Sequence, residues 1–194
     1  MGRAVARDHD DKRRAILKAA ARVFARDGFA RASMSGIAAE CGISKANLYH
    51  YHTGKDGLLF DLLDAHLSDL RDRFAAVDLT GPDPLRALLT DLLLAYEGRD
   101  DEHRIQTEAM TLVTPAQAAI LRGYQREMVA RLSGALAAQA PHLDRGALRD
   151  ATMSVFGMVN WFYLWSPGAD RAARIAYAGT VADIATGGVG AIGA

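Results

Sequence analysis

The short segment from Cys41 to Ser44 constrains the fold of this chain more than any other. It separates two stretches with helical apolar spacing, and its Gly42 can adopt the positive φ that ends one helix and redirects the chain. Ser44 is a good N-cap for the helix that follows, and Ile43 can fill the angle between the two helices. The pattern therefore predicts two short helices joined by a tight turn, which is a helix-turn-helix.

The helix after this turn carries several polar side chains, and we expect its Leu48 to point into the core. In a helix-turn-helix the first residues of the second helix face base edges in the major groove of double-stranded DNA. An asparagine can pair with adenine through two hydrogen bonds, and a lysine can reach guanine or a phosphate. The candidate DNA contacts on and before this helix are Ser44, Lys45, Asn47, Tyr49 and His50.

Three further residues are candidates for contact with DNA phosphates, which position a protein without reading the sequence. Ser33 and Ser35 lie at the start of the preceding helix, where unpaired N–H groups and hydroxyls suit an anion. Lys55 lies at the start of the fourth helix. Residues 1–10 form a charged arm that we expect to be solvated, and whether it contacts DNA is left open.

The run from residue 12 to residue 60 resembles the DNA-binding domain of the TetR family of bacterial regulators. The shared motifs, in order, are Gly28-Phe29, Ile37-Ala38, Gly42-Ile43-Ser44, Leu48-Tyr49-His50-Tyr51, Lys55-Asp56 and Leu58. The chain departs from the family at His52, where a phenylalanine is usual, and at Gly54 and Gly57. The resemblance implies an arm and helix-turn-helix head over residues 1–54, a ligand-binding and dimerisation body over 55–186, and a flexible tail over 187–194.

Composition agrees with an all-α protein. Half of the 194 residues are apolar, and the apolar residues recur with helical spacing throughout. Residues 1–60 carry 11 basic and 6 acidic side chains, a net charge of +5 that balances −5 in the remainder. A basic head on an acidic body suits a protein that binds nucleic acid and has a separate body for sensing or assembly.

The single cysteine, Cys41, excludes an intramolecular disulfide and a zinc site built on several thiolates, and its redox sensitivity is left open. No apolar run approaches the roughly 20 residues that span a bilayer. The charged start, Met1 to Arg14, lacks the apolar core of a signal peptide, so we expect a cytoplasmic protein that does not bind membranes.

Apolar spacing and local start and stop signals predict about nine helices. In addition to the two helices of the helix-turn-helix, they are expected over 11–26, 55–77, 84–96, 102–112, 115–139, 144–165 and 170–185. The helix over 144–165 is apolar on nearly every side, which requires burial against more than one neighbour. In TetR-like proteins the last two helices form a four-helix bundle between subunits, so the resemblance implies a homodimer through this pair.

The segment from Gly157 to Gly168 is similar to a run found in TetR-family regulators of fatty-acid, phenylacetate or sterol catabolism, several of which respond to acyl-CoA thioesters. We expect a small-molecule effector, and its contacts are sought among polar residues of otherwise apolar helices. These candidates are His66, Tyr96, Arg104, Glu108, Arg122, Tyr124 and Asn160. The alternative for these residues is structural, with Arg104 and Glu108 forming an ordinary ion pair one helical turn apart.

These features favour a homodimeric repressor that a small molecule releases from a palindromic operator, with no cofactor. Alternatives are a helical small-molecule-binding protein or an enzyme, an activator, or a non-specific nucleoid binder. Against an enzyme, we find no metal-binding or phosphate-loop motif, and His50 and His52 are about 200° apart around a helix, so they cannot share a metal. The small basic excess argues against binding driven by charge alone.

Overall fold

The computed structural model describes residues 2–189 of the chain, with side-chain surroundings for residues 9–188. Every regular element within these residues is a helix, which confirms the all-α prediction. The helices are α1 (Gly2–Asp27), α2 (Met34–Cys41), α3 (Lys45–Tyr51), α4 (Lys55–Ala76), α5 (Pro84–Ala95), α6 (Asp100–Ala109), α7 (Pro115–Gln139), α8 (Arg145–Asn160), α9 (Phe162–Trp165) and α10 (Arg171–Val189). None of these helices is both long and apolar enough to cross a membrane.

The chain divides into two compact units. The N-terminal unit comprises Met1–His66 and Asp101–Leu121, and the C-terminal unit comprises Leu67–Asp100 and Arg122–Ala194. The domain boundary predicted at residue 54 stays a prediction.

The core of the N-terminal unit is built from the apolar faces of its helices. Fully buried side chains come from α1, α2, α3 and the first half of α4, among them Phe24, Ile37, Leu48 and Leu58. Glu40 of α2 accepts hydrogen bonds from two arginines of α1, Arg22 at 2.8 Å and Arg26 at 3.1 Å. These bonds lower the pKa of Glu40, and they fix α2 against α1 from outside the core.

Helix α1 is longer than the sequence predicted. We expected it to begin near Asp11, after a solvated arm, but it begins at Gly2. Residues 2–10 contain no proline, and the two alanines and two arginines among them favour the helix, so nothing in the segment stops it. The side chains of Arg3 and Arg7 lie outside the described residues.

In the C-terminal unit, the leucine stripe of α5 packs against the small residues of α10. The buried Arg174 of α10 forms hydrogen bonds to residues at the ends of this helix pair. It donates to Asp100 Oδ1 at 3.0 Å, to the carbonyl of Ala169 at 3.0 Å and to the carbonyl of Leu93 at 3.4 Å. Asp100 also accepts from the backbone N–H of Gly168 at 3.0 Å, so this ion pair joins the loop before α10 to the start of α6.

The helix predicted over 144–165 is interrupted. Helix α8 ends at Asn160, and α9 is a single turn after Trp161. In an unbroken helix the carbonyl of Met158 would accept from the N–H of Phe162. Here that carbonyl accepts from the Tyr177 hydroxyl of α10 at 3.1 Å, which gives it a partner outside the helix.

The other helix bounds differ from the prediction mainly at α6 and α10. Helix α6 begins two residues and ends three residues earlier than predicted, and its first residue, Asp100, is held by Arg174. Helix α10 continues through Val189, so residues 187–189 are helical and not part of a loose tail. Thr186 in its last turns donates to Gln139 Oε1 of α7 at 3.2 Å, which anchors this end. Residues 190–194 of the predicted tail lie outside the described residues.

Candidate nucleic-acid interface

The turn between α2 and α3 has the geometry that the sequence predicted. Gly42 adopts φ 69° and ψ 27°, the left-handed conformation that ends α2. Its N–H donates to the carbonyl of Ala39 at 3.1 Å, and the N–H of Ile43 donates to the carbonyl of Ala38 at 3.0 Å. These two bonds satisfy the last carbonyls of α2 and fix the direction in which the chain enters α3.

Helix α3 begins at a side-chain cap and is held by one buried residue. The Ser44 hydroxyl accepts from the N–H of Asn47 at 3.1 Å, which confirms Ser44 as the N-cap. Leu48 is completely buried, and it is the one buried residue in this helix. The remaining candidates on α3 are exposed: Lys45, Asn47, Tyr49 and His50. Burial of Leu48 therefore sets the rotation of α3 that presents these polar side chains to solvent.

The start of α2 has the side-chain cap that the sequence predicted. The Ser33 hydroxyl accepts from the N–H of Gly36 at 3.1 Å, so Ser33 is the N-cap. Ser33 and Ser35 are both exposed. A hydroxyl can accept one hydrogen bond and donate another, so capping is compatible with a phosphate contact.

Lys55 lies in a different environment from the one expected of a phosphate contact. Its Nζ donates to the backbone carbonyls of Phe29, Ala30 and Ala32 at 2.7, 3.2 and 3.1 Å. It also lies 4.5 Å from the centroid of the Phe29 ring. An ammonium group has three N–H donors, so this arrangement commits all of them to the backbone and leaves none for a phosphate.

His52, where the family usually has phenylalanine, ends α3 as a buried polar residue. Its side chain is 1% exposed, and its Nδ1 lies 3.0 Å from Asp61 Oδ2 of α4. Arg13 of α1 approaches the same carboxylate at 3.5 Å. Burial lowers the pKa of His52, and the Asp61 carboxylate opposes part of that shift. The neutral imidazole is therefore the form that this site favours.

The first turns of α1 reach the end of α3. The His9 ring lies 4.9 Å from the Tyr51 ring, and the His50 ring lies 5.8 Å from it in an edge-to-face arrangement. This contact was not predicted, because it requires a helix over residues that were expected to form a solvated arm.

The candidate effector contacts occupy several environments. In the C-terminal unit, the Tyr96 hydroxyl donates to Asn160 Oδ1 at 3.0 Å, and burial raises the pKa of Tyr96. The Tyr124 ring lies 4.7 Å from the Arg71 guanidinium, a partner that sequence reasoning missed because no local pattern marks it. Arg122 is exposed on α7.

The remaining effector candidates belong to the N-terminal unit. Arg104 and Glu108 are exposed on α6. His66 is buried, and its ring lies 6.4 Å from the ring of His103, which is also buried. His103 was not among the predicted residues, because a single histidine in a polar stretch of α6 carries no sequence signal.

The C-terminal unit exposes large apolar side chains on its last helices. They are Met153, Trp161, Leu164, Trp165, Ile175 and Ile184, each between 44% and 59% exposed. Ile175 and Ile184 lie about 180° apart around α10, so we call the set without Ile175 the apolar face. Trp165 packs edge-to-face on Tyr177 at 4.9 Å, and Tyr177 stacks on Phe162 at 4.6 Å, so the aromatic part of the face has a defined shape.

Known proteins are similar to the chain in sequence, first of all in the region of the helix-turn-helix. A family model described as bacterial regulatory proteins of the tetR family matches residues 16–62. The regulator YerO of Bacillus subtilis (strain 168), described as an uncharacterized HTH-type transcriptional regulator, is 30% identical over 90 residues, which are 45% of this chain. The match spans 31% of that relative's own length.

Solved structures extend the similarity to nearly the whole chain. A TetR-family transcriptional regulator from Bordetella parapertussis 12822 is 29% identical, with a TM-score of 0.82 over 89% of this chain and 93% of that one. AibR, solved in complex with isovaleryl coenzyme A and operator DNA, is 26% identical, with a TM-score of 0.73 over 89% of this chain and 97% of that one.

The C-terminal part settles the family. A second family model, described as the tetracyclin repressor-like C-terminal domain, matches residues 78–189, which are more than half of the chain. Proteins with these two domains regulate transcription and are not enzymes, so the enzyme alternative falls. The chain belongs to the TetR family of bacterial regulatory proteins.

Proposed function

We propose that this protein is a homodimeric transcriptional repressor that binds a palindromic operator and is released by a small molecule. The exposed polar face of α3 is the observation that carries the proposal. Leu48 anchors the helix, the Gly42 turn and the Ser44 cap fix its start, and Lys45 and Asn47 project into solvent from its first turn. That is where a helix-turn-helix reads base edges in the major groove. A bacterial operator lies in the cytoplasm, so we place the protein there.

Dimerisation through the last helices is supported by the apolar face. The half-exposed side chains of this face, from Met153 on α8 to Ile184 on α10, expose apolar surface to water unless a partner covers them. A second copy of the chain would cover them symmetrically. It would also supply the second α3 that a palindromic operator needs in a successive major groove.

The dimer is tested by placing a charge in the apolar face. Ile184 of α10 is 54% exposed, and Leu112, after α6, is 49% exposed and lies outside the face. We expect Ile184→Glu to shift the protein toward monomer in sedimentation velocity, because a carboxylate would be desolvated at the interface. The matched variant Leu112→Glu should stay dimeric. Equal sedimentation of both variants and the wild type would contradict this interface.

An acyl-CoA thioester is the effector that we propose. AibR, which is similar over nearly the whole chain, was solved with isovaleryl coenzyme A and operator DNA. Within the C-terminal unit, Tyr96 and Asn160 offer a buried polar pair, and Arg71 beside Tyr124 offers a guanidinium of the kind that binds phosphates. Arg122, Arg104, Glu108 and His66 remain candidates. Release from DNA requires only that the effector prefer the form of the dimer that fits the operator poorly.

Fluorescence anisotropy on DNA from upstream of the protein's own gene tests the proposal. An excess of unrelated DNA is present, and the complex is then titrated with isovaleryl-CoA, phenylacetyl-CoA and a long-chain acyl-CoA. We expect tight binding that one thioester reverses. Asn47→Ala should lose the preference for this DNA, whereas the exposed control His142→Ala should keep it.

The outcomes separate the parts of the proposal. Tight binding that none of the thioesters reverses would reject the acyl-CoA effector while leaving the repressor. Unchanged binding by Asn47→Ala would show that α3 does not read this DNA in the proposed register.

A further inference from the structure

Lys55 joins the first turn of α4 to the segment between α1 and α2. The three carbonyls that accept from its Nζ belong to Phe29, Ala30 and Ala32. These residues follow the end of α1 at Asp27 and precede Ser33, the N-cap of α2. One side chain of α4 therefore holds the backbone that leads into the predicted phosphate-binding end of α2.

The surroundings of this ammonium group suit a fixed cation. The carboxyl end of α1 carries a partial negative charge from the helix dipole, and Lys55 lies beside the segment that follows it. The Phe29 ring lies 4.5 Å from Nζ and presents its electron-rich face to the charge. That ring in turn packs 5.3 Å from the ring of Phe24, which is completely buried in the core.

We infer that Lys55 is a positioning residue of the DNA-binding surface, and that it acts by holding residues 29–33 and not by contacting a phosphate. The inference rests on the proposed DNA-binding function. When Lys55 holds this segment, Ser33 caps Gly36 and the N–H groups at the start of α2 keep one direction. Without Lys55 the segment loses three hydrogen bonds, and the start of α2 loses its fixed position relative to α3.

Salt dependence distinguishes the two roles. A lysine that neutralises a phosphate contributes about 0.9 to the slope of log affinity against log salt concentration, whereas a positioning residue contributes affinity without counterion release. Lys55→Met removes the charge and the donors but keeps the length of the side chain. Lys45→Met makes the same change of charge on α3 at an exposed position. Lys55→Arg keeps the charge, but its larger planar guanidinium spreads its donors over three nitrogens and does not match three carbonyls that converge on one nitrogen.

The experiment uses the full-length protein and a DNA duplex that the wild type selects from a random library. Dissociation constants are measured over a range of salt concentrations, at a temperature where circular dichroism shows each variant to be folded. Hydrogen exchange of a peptide covering residues 28–37 is measured on the same proteins without DNA. The exchange measurement reports directly on the opening of residues 28–37. Because every variant is folded at the chosen temperature, a change in its affinity for DNA is not caused by unfolding.

We expect both Lys55 variants to bind about tenfold more weakly, the equivalent of one to two hydrogen bonds, with the slope of the wild type. Their 28–37 peptide should exchange faster. Lys45→Met should leave that exchange unchanged, and it should lower the slope by about 0.9 where Lys45 binds a phosphate and not a guanine. If Lys55→Met does not fold, Lys55→Arg alone decides, since a phosphate contact predicts near wild-type affinity for it.

Two results would overturn the inference while leaving the proposed function intact. One is a slope that falls by about 0.9 in Lys55→Met, together with near wild-type binding by Lys55→Arg, because that pattern marks a phosphate contact. The other is unchanged operator affinity in folded Lys55 variants, which would make the contact purely structural. A wild-type protein that selects no sequence at all would reject the proposed function itself, and this inference with it.

Discussion

Replacing Gly42 with alanine should lower the free energy of opening the turn between α2 and α3 by about 0.8 kcal/mol. At φ 69° an L-residue with a Cβ costs roughly 1–2 kcal/mol. The added Cβ would meet no atom within 4 Å, so no steric cost is added. Alanine also restricts the unfolded chain, which offsets about 0.4–1 kcal/mol. The net loss is therefore close to the difference between these two backbone effects.

The same substitution at Gly57 serves as the control, because it lies in the same unit and should act in the opposite direction. Gly57 is in the first turns of α4, and its added Cβ would lie 3.7 Å from Thr53 Oγ1, an ordinary contact. Alanine is preferred to glycine in a helix by up to about 1 kcal/mol, so Gly57→Ala should stabilise the unit.

Native-state hydrogen exchange of the Ile43 amide measures the effect at the turn. This amide donates to the carbonyl of Ala38 at 3.0 Å and exchanges when the turn opens. Gly42→Ala should speed its exchange about fourfold, the equivalent of 0.8 kcal/mol. Exchange as slow as in the wild type would refute the reasoning, because the turn would then tolerate a side chain without cost.

Two further predictions concern buried polar residues. Because burial lowers the pKa of His52, the unfolded chain takes up a proton at higher pH than the folded one, and the contribution to stability declines as pH falls below about 6.5. His52→Phe should reduce this decline in urea midpoints measured at pH 7.5 and 5.5, and an unchanged pH dependence would contradict the assignment. Arg174→Met leaves Asp100 without its arginine and should cost about 3 kcal/mol in urea unfolding. Arg99→Met, which breaks a more exposed pair, should cost less than about 1 kcal/mol, and equal losses would contradict the account.

The features that the sequence predicted are those that local signals determine. Helix α7 has both bounds where they were expected, because Thr114 with Pro115 starts it and Pro141 follows its end. Thr114 also accepts from the N–H of Gln117, as an N-cap should. The turn at Gly42 and the burial of Leu48 followed in the same way from the conformation of glycine and from helical spacing.

The features that the sequence did not predict depend on partners far away in the chain. Arg174 lies 74 residues from Asp100, and no local pattern links a lone arginine to that carboxylate. The backbone contacts of Lys55 were not predicted either, because the carbonyls that it binds are 23 to 26 residues earlier in the chain. The hydroxyl that binds the carbonyl of Met158, beside the break at Trp161, likewise comes from another helix, α10.

The candidate effector contacts were likewise predicted only as far as local spacing allows. Apolar spacing identified Tyr96 and Asn160 as polar residues on otherwise apolar helices, and the structure joins them by a hydrogen bond. Spacing could not say that Tyr124 meets Arg71, or that His66 lies near His103, because those pairs form only once the helices pack.

Selection of binding sites from a random duplex library by the full-length protein tests the central claim most directly, with Asn47→Ala selected in parallel. If two copies of α3 read DNA, the wild type should enrich an inverted repeat whose half-sites lie a whole number of helical turns apart. Asn47→Ala should lose its preference at one position in each half-site. Failure to enrich any sequence, or enrichment of the same site by both proteins, would contradict the claim that α3 reads the operator.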